Sequence, residues 1–367
     1  MKVKMLDLTR EYKKYRKEYI DAINIIFDKG NFILGEEVLL LEKNVAEYIG
    51  VKYGVGVANG TDALLLSLKA AGIKEDDEVI TTPFTFFATV ETVLQLKATP
   101  VFVDINYDDF TIDVSQIEKK ITKKTKAILP VHIFGHSADM VEIEKIAKKY
   151  GLIIIEDCAQ AIGSKIGEKK CGSFGIAGTI SFFPTKNIGC AGDGGLVVTD
   201  SEDVYKKIKT LRVHGSSEKY IHEELGYNSR LDTLQASLLL LKMKRIEDIN
   251  SRRREIAKNY NLKLTEKIKK PFEKKGYYHI YHQYSILVEK RENLKNYLKE
   301  NGIDTTVYYP LPLHKQKAVL NLIKKEYSLP VAEDVSNRIL SLPIYPELED
   351  REVEYVIEKI NRFYDRL

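Results

Sequence analysis

Between residues 53 and 156 short apolar or β-branched runs alternate with longer runs of helical period, and no other feature of the chain narrows its fold as much. The spacing predicts strands at Tyr53–Ala58, Glu78–Thr82, Pro100–Val103, Ala127–Val131 and Leu152–Glu156. Between them it predicts helices from Asn59-Gly60-Thr61-Asp62 to Ala71, and over Ala88–Lys97, Val114–Lys120 and Met140–Tyr150. Strands alternating with helices imply βαβ units and a mostly parallel sheet, an α/β fold. Leu152–Glu156 is almost wholly apolar, as a strand covered on both faces must be.

The flanks read differently. Residues 12–29 carry Tyr12, Tyr15, Tyr19, Ala22 and Ile26 at amphipathic-helix spacing and end near Gly30. Beyond Thr199, residues 202–212 and 231–260 read as helices, the second long enough to link two domains. Tyr277–Val288 reads as a strand, Arg291–Asn301 as a helix and Ile303–Val307 as a strand, with helices near 329–339 and 349–365. The expectation is a large domain over residues 1–250 and a smaller α+β domain over 251–367, a division that 367 residues suit.

Composition removes several classes. The 57 basic and 53 acidic residues leave a net charge of +4, with no concentrated basic stripe, so no nucleic-acid partner is expected. The densest run, Arg252-Arg253-Arg254, reads as a solvated helix face. Cys158, Cys171 and Cys190 form neither a CxxC pair nor a ligand spacing, which suits free thiols in a reducing cytoplasm. Met1-Lys2-Val3-Lys4 opens no signal peptide, and no run approaches the roughly 18 apolar residues of a membrane helix.

Three segments carry chemistry. Glu156-Asp157-Cys158-Ala159-Gln160 directly follows the apolar strand, at the carboxyl end where open parallel sheets bind ligands. An acid there either binds a metal or pairs with a cationic ring nitrogen. His132 ends the preceding strand, but no further ligands are spaced to complete a metal site. His279 and His282, three apart in an expected strand, point to opposite faces and make no metal pair. In the second segment, Gly178–Gly195, a strand over Thr179–Phe183 stops at Pro184 and Lys186 follows in a turn rich in glycine. Desolvation there lowers a lysine's pKa and frees its amine to form a Schiff base. The third, Asn59–Leu64, opens a helix whose N-terminal N–H groups suit a phosphate, although Asn, Thr and Asp are also ordinary helix caps. No Gly-Lys-Ser/Thr follows and no GxGxxG turn exists, so neither a P-loop nor a dinucleotide fold is indicated. A carboxylate, a lysine and a phosphate-binding helix start are the parts that pyridoxal 5′-phosphate (PLP) needs.

With these residues in view the chain resembles the sugar aminotransferases of PLP fold type I, the family named for DegT, DnrJ, EryC1 and StrS. The resemblance rests on Asn31–Gly35, Asn59–Leu64, Pro83–Thr89, Glu156–Gln160, Ser181–Gly195, Gly226–Gln235 and Tyr309–His314, so it runs nearly end to end. It implies that Lys186 carries the cofactor and shuttles the proton, and that Asp157 pairs with the pyridine nitrogen. Gln160 would meet the 3-hydroxyl, and Ser181, Gly60 and Thr61 the phosphate. Phe86 would stack on the ring, with Phe87 competing for that place and core packing as the plainer use. Asn228 would reach the phosphate from the other subunit of a homodimer, unless it merely caps the helix before Leu231. Arg230, Tyr308, Tyr309 and His314 would touch the sugar, while His214 caps a helix end.

The resemblance also implies L-glutamate as donor and a nucleotide-linked keto sugar, UDP or dTDP, as acceptor, in amino-sugar supply for cell-surface polysaccharide. Ser181-Phe182-Phe183-Pro184 and Gly192-Asp193-Gly194-Gly195 are more like relatives that aminate C3 than those that aminate C4. Tyr308-Tyr309-Pro310 and Asn228-Ser229 depart from relatives that handle a uronic acid, so a carboxylated sugar and a neutral 6-deoxy 3-keto hexose both stay open. Lys186 speaks against the relatives that remove a hydroxyl, which have histidine there; a 4-keto nucleotide-sugar aminotransferase and a regulatory protein of the same fold remain as alternatives.

Overall fold

The computed structural model describes residues 1–323 and 325–366. Its centre is a seven-stranded sheet of β1 (Tyr53–Val57), β2 (Glu78–Thr81), β3 (Thr99–Phe102), β4 (Thr125–Ile128), β5 (Ile153–Asp157), β6 (Ala177–Ser181) and β7 (Gly195–Thr199). In space the order is β1-β7-β6-β5-β4-β2-β3. β7 runs antiparallel to both β1 and β6, and the remaining pairings are parallel.

Period-two alternation sorts the side chains of each strand between two helical layers. Ile80, Ile128 and Ile154 pack toward α5 (Met140–Tyr150), whose Ile143, Ile146 and Ala147 meet them. Their neighbours Val79, Ala127 and Ile155 pack toward Leu64 and Leu68 of α3 (Gly60–Ala70) and Val93 of α4 (Ala88–Gln95). The apolar run at β5 is therefore covered on both faces, as its composition requires. Two further helices, α1 (Leu8–Lys29) and α2 (Glu36–Ile49), precede the sheet, and α6 (Glu202–Leu211) follows it. α2 seats Val38, Leu41, Val45 and Ile49 against β6, β7 and α7 (Thr233–Met243).

α8 (Ile246–Lys263) leads into the second unit. There β8 (Tyr284–Leu287) pairs antiparallel with β9 (Ile339–Leu342). Around them lie α9 (Arg291–Glu300), α10 (Lys317–Ile323), α11 (Pro330–Arg338) and α12 (Asp350–Asp365). One core joins Ile256 and Tyr260 of α8 to Leu294, Leu340, Val356 and Ile360, and it also takes in Val3, which bridges Ile303 from the far end of the chain. No helix among the described residues is long and apolar enough to cross a membrane.

Local departures from the sequence reading have local causes. Residues 36–49, to which that reading assigns no element, form α2; its N-cap Gly35 offers no side-chain signal. Val114–Lys120 is two 3₁₀ turns, because Asp113 takes hydrogen bonds from Ser115 and Gln116 that compete with a continuing helix. Residues 231–260 hold two helices with a break at Lys244–Arg245. Tyr277–Val288 is not one strand: Ile280 and Gln283 donate their backbone N–H groups to Gly135 and Phe134 of a facing loop. Ile303–Val307 pairs only at single bridges through Ile303 and Thr306. Arg253, expected on a solvated face, is 3% exposed, and its Nη1 donates to the carbonyls of Tyr281, His282 and Ile344. The three backbone acceptors satisfy one nitrogen of that guanidinium and tie α8 to the loop before β8, while Nε finds no partner among the described residues and burial lowers the pKa to about 10.

Candidate active site

The carboxyl ends of β2, β4, β5 and β6 open onto one cavity of about 440 Å³. Of the residues expected at a site, Gly60, Thr61, Phe86, Asp157, Gln160, Ser181, Lys186, Tyr308 and Tyr309 line it.

Asp157 is the last residue of β5 and 5% exposed. It takes a hydrogen bond from Thr89 Oγ1 (2.8 Å) and one from the backbone N–H of Ala159 (3.1 Å). Because the Thr89 hydroxyl proton is spent on Asp157, Thr85 must donate to Thr89 across their 3.0 Å contact. Burial pushes the Asp157 carboxyl above its ordinary range, against those hydrogen bonds and the nearby charge of Lys186. A carboxylate so placed is short of a cation.

Lys186 follows β6 in a turn closed by its backbone N–H on the Phe183 carbonyl (2.8 Å). Its partly buried side chain faces the cavity. Desolvation lowers its pKa to about 8, and the charge of Asp157 opposes that shift. An amine in this state keeps an appreciable neutral fraction near neutrality.

α3 starts against the end of β6. Asn59 caps it by accepting from the Asp62 N–H (2.8 Å). A Cβ on Gly60 would stand 2.7 Å from the Ser181 Cβ, so only glycine lets the helix N-terminus and the Ser181 hydroxyl come together. Phe86 is 60% exposed over the cavity, whereas Phe87 packs into the core with Phe84 and Phe134. Gln160 accepts from the Phe134 N–H (2.8 Å) and donates to the Tyr309 hydroxyl (3.0 Å), which leaves one amide N–H free. Burial pushes the Tyr309 phenol upward.

The remaining expected residues do not reach this cavity. Asn228 is exposed and bridges Val213 through its backbone, and Arg230 is partly buried beside it in the chain. His314 is buried against the edge of Phe102, with Nε2 3.0 Å from Glu333 Oε1. His132 lies on the other side of the sheet. It takes the Ala138 N–H on Nδ1, so its proton is on Nε2 and is donated to Glu156 (3.0 Å). Glu156 also accepts from the backbone N–H groups of Gly172, Phe174 and Gly175. His132, Glu156 and Cys158 cluster closely enough to meet one ion, but the imidazole and the carboxylate are already consumed in holding loop 172–175.

Thr85, Thr89 and Gln283, to which the sequence reading gives no individual role, also line the cavity, as do Asn59 of the helix start, Asp193 of the Gly192–Gly195 segment and His282. Thr89 sits within a segment quoted for its resemblance, yet nothing local reveals that it faces Asp157. His282 is 4% exposed, and it reaches the cavity because residues 279–283 do not follow strand alternation.

Residues 13–361 match the DegT/DnrJ/EryC1/StrS aminotransferase family. A "Pleiotropic regulatory protein" of Geobacillus stearothermophilus is 47% identical over 99% of both chains. The "UDP-N-acetyl-3-dehydro-alpha-D-glucosamine 3-aminotranferase" of Acidithiobacillus ferrooxidans is 44% identical over 98% of this chain and 97% of its own. Among solved structures, S. venezuelae DesV in complex with a ketimine intermediate superposes with a TM-score of 0.97 at 38% identity, covering 100% of this chain and 99% of that one. The chain belongs to the DegT/DnrJ/EryC1/StrS aminotransferase family.

Proposed function

We propose that this chain is a PLP-dependent aminotransferase that moves an amino group from L-glutamate to C3 of a nucleotide-linked 3-keto sugar, working as a homodimer. The observation that carries the reading is the pair Asp157 and Lys186: a buried carboxylate short of a cation and a desolvated amine facing the same cavity. That donor set suits PLP, whose ring nitrogen supplies the missing cation and whose aldehyde takes the amine. In this reading residues 1–250 form the cofactor domain and residues 251–367 the smaller one.

Bound PLP supplies an electron sink for the pair left when a proton leaves the donor's Cα. The residues then divide the work. Asp157 accepts the ring N–H and keeps the ring cationic, and the free N–H of Gln160 donates to the ring 3-oxygen. The N-terminus of α3 at Gly60 and Thr61, with the Ser181 hydroxyl, donates to the phosphate. Phe86 covers one ring face. With PLP held there, Lys186 Nζ would be the base that takes the proton from the donor Cα and returns it to the cofactor's C4′. Tyr308 and Tyr309 contact the sugar. Exposed Asn228, with Arg230 beside it, serves the cavity of a second copy, while the His314 imidazole is spent on Glu333.

C3 is favoured by the name of the Acidithiobacillus relative and by Ser181-Phe182-Phe183-Pro184. The name of the Geobacillus relative favours a second reading, a regulatory protein on the same fold. A desolvated lysine beside a buried acid has a standing stability cost that regulation alone does not explain.

Absorbance of the purified protein with PLP, before and after L-glutamate, tests the reading. A lysine-bound chromophore that glutamate converts to the amino form, followed by recovery on adding a UDP- or dTDP-linked 3-keto sugar, is expected. Lys186→Ala must abolish turnover with the fold intact. A protein that never takes up PLP returns the regulatory reading.

A further inference from the structure

Two residues just past the ends of β6 and β7 have no part in the assignments above. The strands pair antiparallel as far as Ser181 and Gly195. One further bond, from the Phe182 N–H to the Gly194 carbonyl (2.8 Å), carries the ladder a step outward. Next out are Phe183 on one side and Asp193 on the other, and the loop between them holds Lys186. Alternation places Phe182 in the core that α2 covers and returns Phe183 to the face of Ser181. Phe183 and Asp193 both line the cavity. They also fall within the two motifs, Ser181–Pro184 and Gly192–Gly195, that set this chain apart from relatives aminating C4. Phe183 is 49% exposed, a large apolar ring turned to open space. Asp193 is exposed, and among the described residues no side chain or backbone group engages its carboxylate.

These two side chains match what a pyranose presents. The C–H groups on one face of a sugar ring are apolar and lie flat on an aromatic side chain, and its hydroxyls donate to a carboxylate, which only accepts. We propose that Phe183 and Asp193 form the sugar subsite of the acceptor, with the pyranose lying on the Phe183 ring and a hydroxyl donating to Asp193, and that the subsite is built for an uncharged sugar and not a uronic acid. The inference rests on the aminotransferase reading. Charge carries its second half. Among the described residues Lys186 is the sole cation of this chain lining the cavity, because burial holds His282 well below its ordinary pKa and keeps it neutral. Lys186 is committed to the cofactor, so a carboxylate on the sugar would meet that of Asp193 with no cation of this chain to balance it. Arg230 of a second copy would add a cation in that reading, and for this reason the comparison of wild type with Asp193→Asn, more than wild type alone, isolates the acid.

Ligands that cannot react test the subsite without turnover. Affinities of the PLP-loaded protein for UDP, UDP-glucose and UDP-glucuronate are measured by calorimetry, with a parallel dTDP series. For the nucleotide that binds, the glucose unit should add about tenfold to the affinity of the bare nucleotide. Glucuronate should bind about tenfold more weakly than glucose. Phe183→Ala should remove most of the glucose increment and leave the bare nucleotide as it was. Asp193→Asn should weaken the glucose ligand about tenfold and close the gap to glucuronate. Both side chains stand at the cavity surface, so both variants should keep the wild-type urea unfolding curve. Wild type that binds glucuronate as tightly as glucose overturns the proposal, as do variants that keep both the increment and the gap. A Phe183→Ala protein that loses bare nucleotide and glucose ligand equally overturns it too, since the ring would then serve the base. So does one that changes oligomeric state and keeps the increment, since the ring would then serve a contact between copies. A protein that captures PLP and answers glutamate yet shows no sugar increment sinks the subsite alone, while failure to capture PLP counts against the aminotransferase reading.

Discussion

Glu156 and Asp157 are consecutive acids on one strand, and the fold puts them to opposite uses. Alternation turns Glu156 with Ile154 toward the α5 layer, and Asp157 with Ile155 toward α3 and α4. On its side Glu156 meets three backbone N–H groups and the Nε2–H of His132, so every oxygen is occupied. Asp157 meets one hydroxyl and one backbone N–H and keeps capacity facing the cavity. A buried carboxylate whose partners are complete is a strut, and one left incomplete is a place for a ligand.

Substitutions at the two positions should separate these roles. The largest effect is expected from Asp157→Asn, which keeps shape and removes charge. Turnover should fall by roughly 10² to 10³, as when a positioned electrostatic partner is lost, while urea unfolding of the apoprotein shows stability held or raised. Glu156→Gln should do the reverse. An amide cannot accept from all four donors, so stability should fall by about 3 kcal/mol with cofactor capture per folded molecule preserved. If both changes damaged stability equally, the contrast would be wrong.

Thr89→Val sharpens the comparison on the cavity side. It removes the hydroxyl that holds Asp157 and should raise that carboxyl further, at a cost of about tenfold in turnover and little in stability. On the Glu156 side Gly172→Ala would be a poor counterpart, because its backbone is left-handed at φ +97° and any change there adds strain.

The subtlest expected effect is a slope. Lys186 sits at about 8 in the folded protein against an ordinary 10.5. Between those values the unfolded chain binds more protons, so the apoprotein should gain stability from this group as pH rises through that window, and bear the full burial penalty below it. Lys186→Met should flatten that part of the stability-against-pH curve in urea titrations. An unchanged curve would mean that the lysine is better hydrated than its position implies.

Much of this was legible in the chain. The alternation of strands and helices located the sheet, Asp157 was readable as an acid at a strand's carboxyl end, and Lys186 stood out by its glycine-rich turn. Helix α2 was missed because Gly35 carries no capping side chain, although Gly50 closes the other end in a left-handed turn. The burial of Arg253 was missed because its three acceptors come from the loop before β8 and the segment after β9. Nothing in Arg252-Arg253-Arg254 distinguishes the middle residue.

By itself the sequence determined what backbone sterics and local period impose: most element types, the two-faced apolar pattern of β5, and an acid and a lysine at the ends of strands. Only the tertiary structure decided which groups complete one another. That Thr89 holds Asp157 and that His132 is spent on Glu156 both depend on donors and acceptors far apart in the chain. Hydrogen-bond capacity is written in each residue, but whether it is satisfied is a property of the packed molecule.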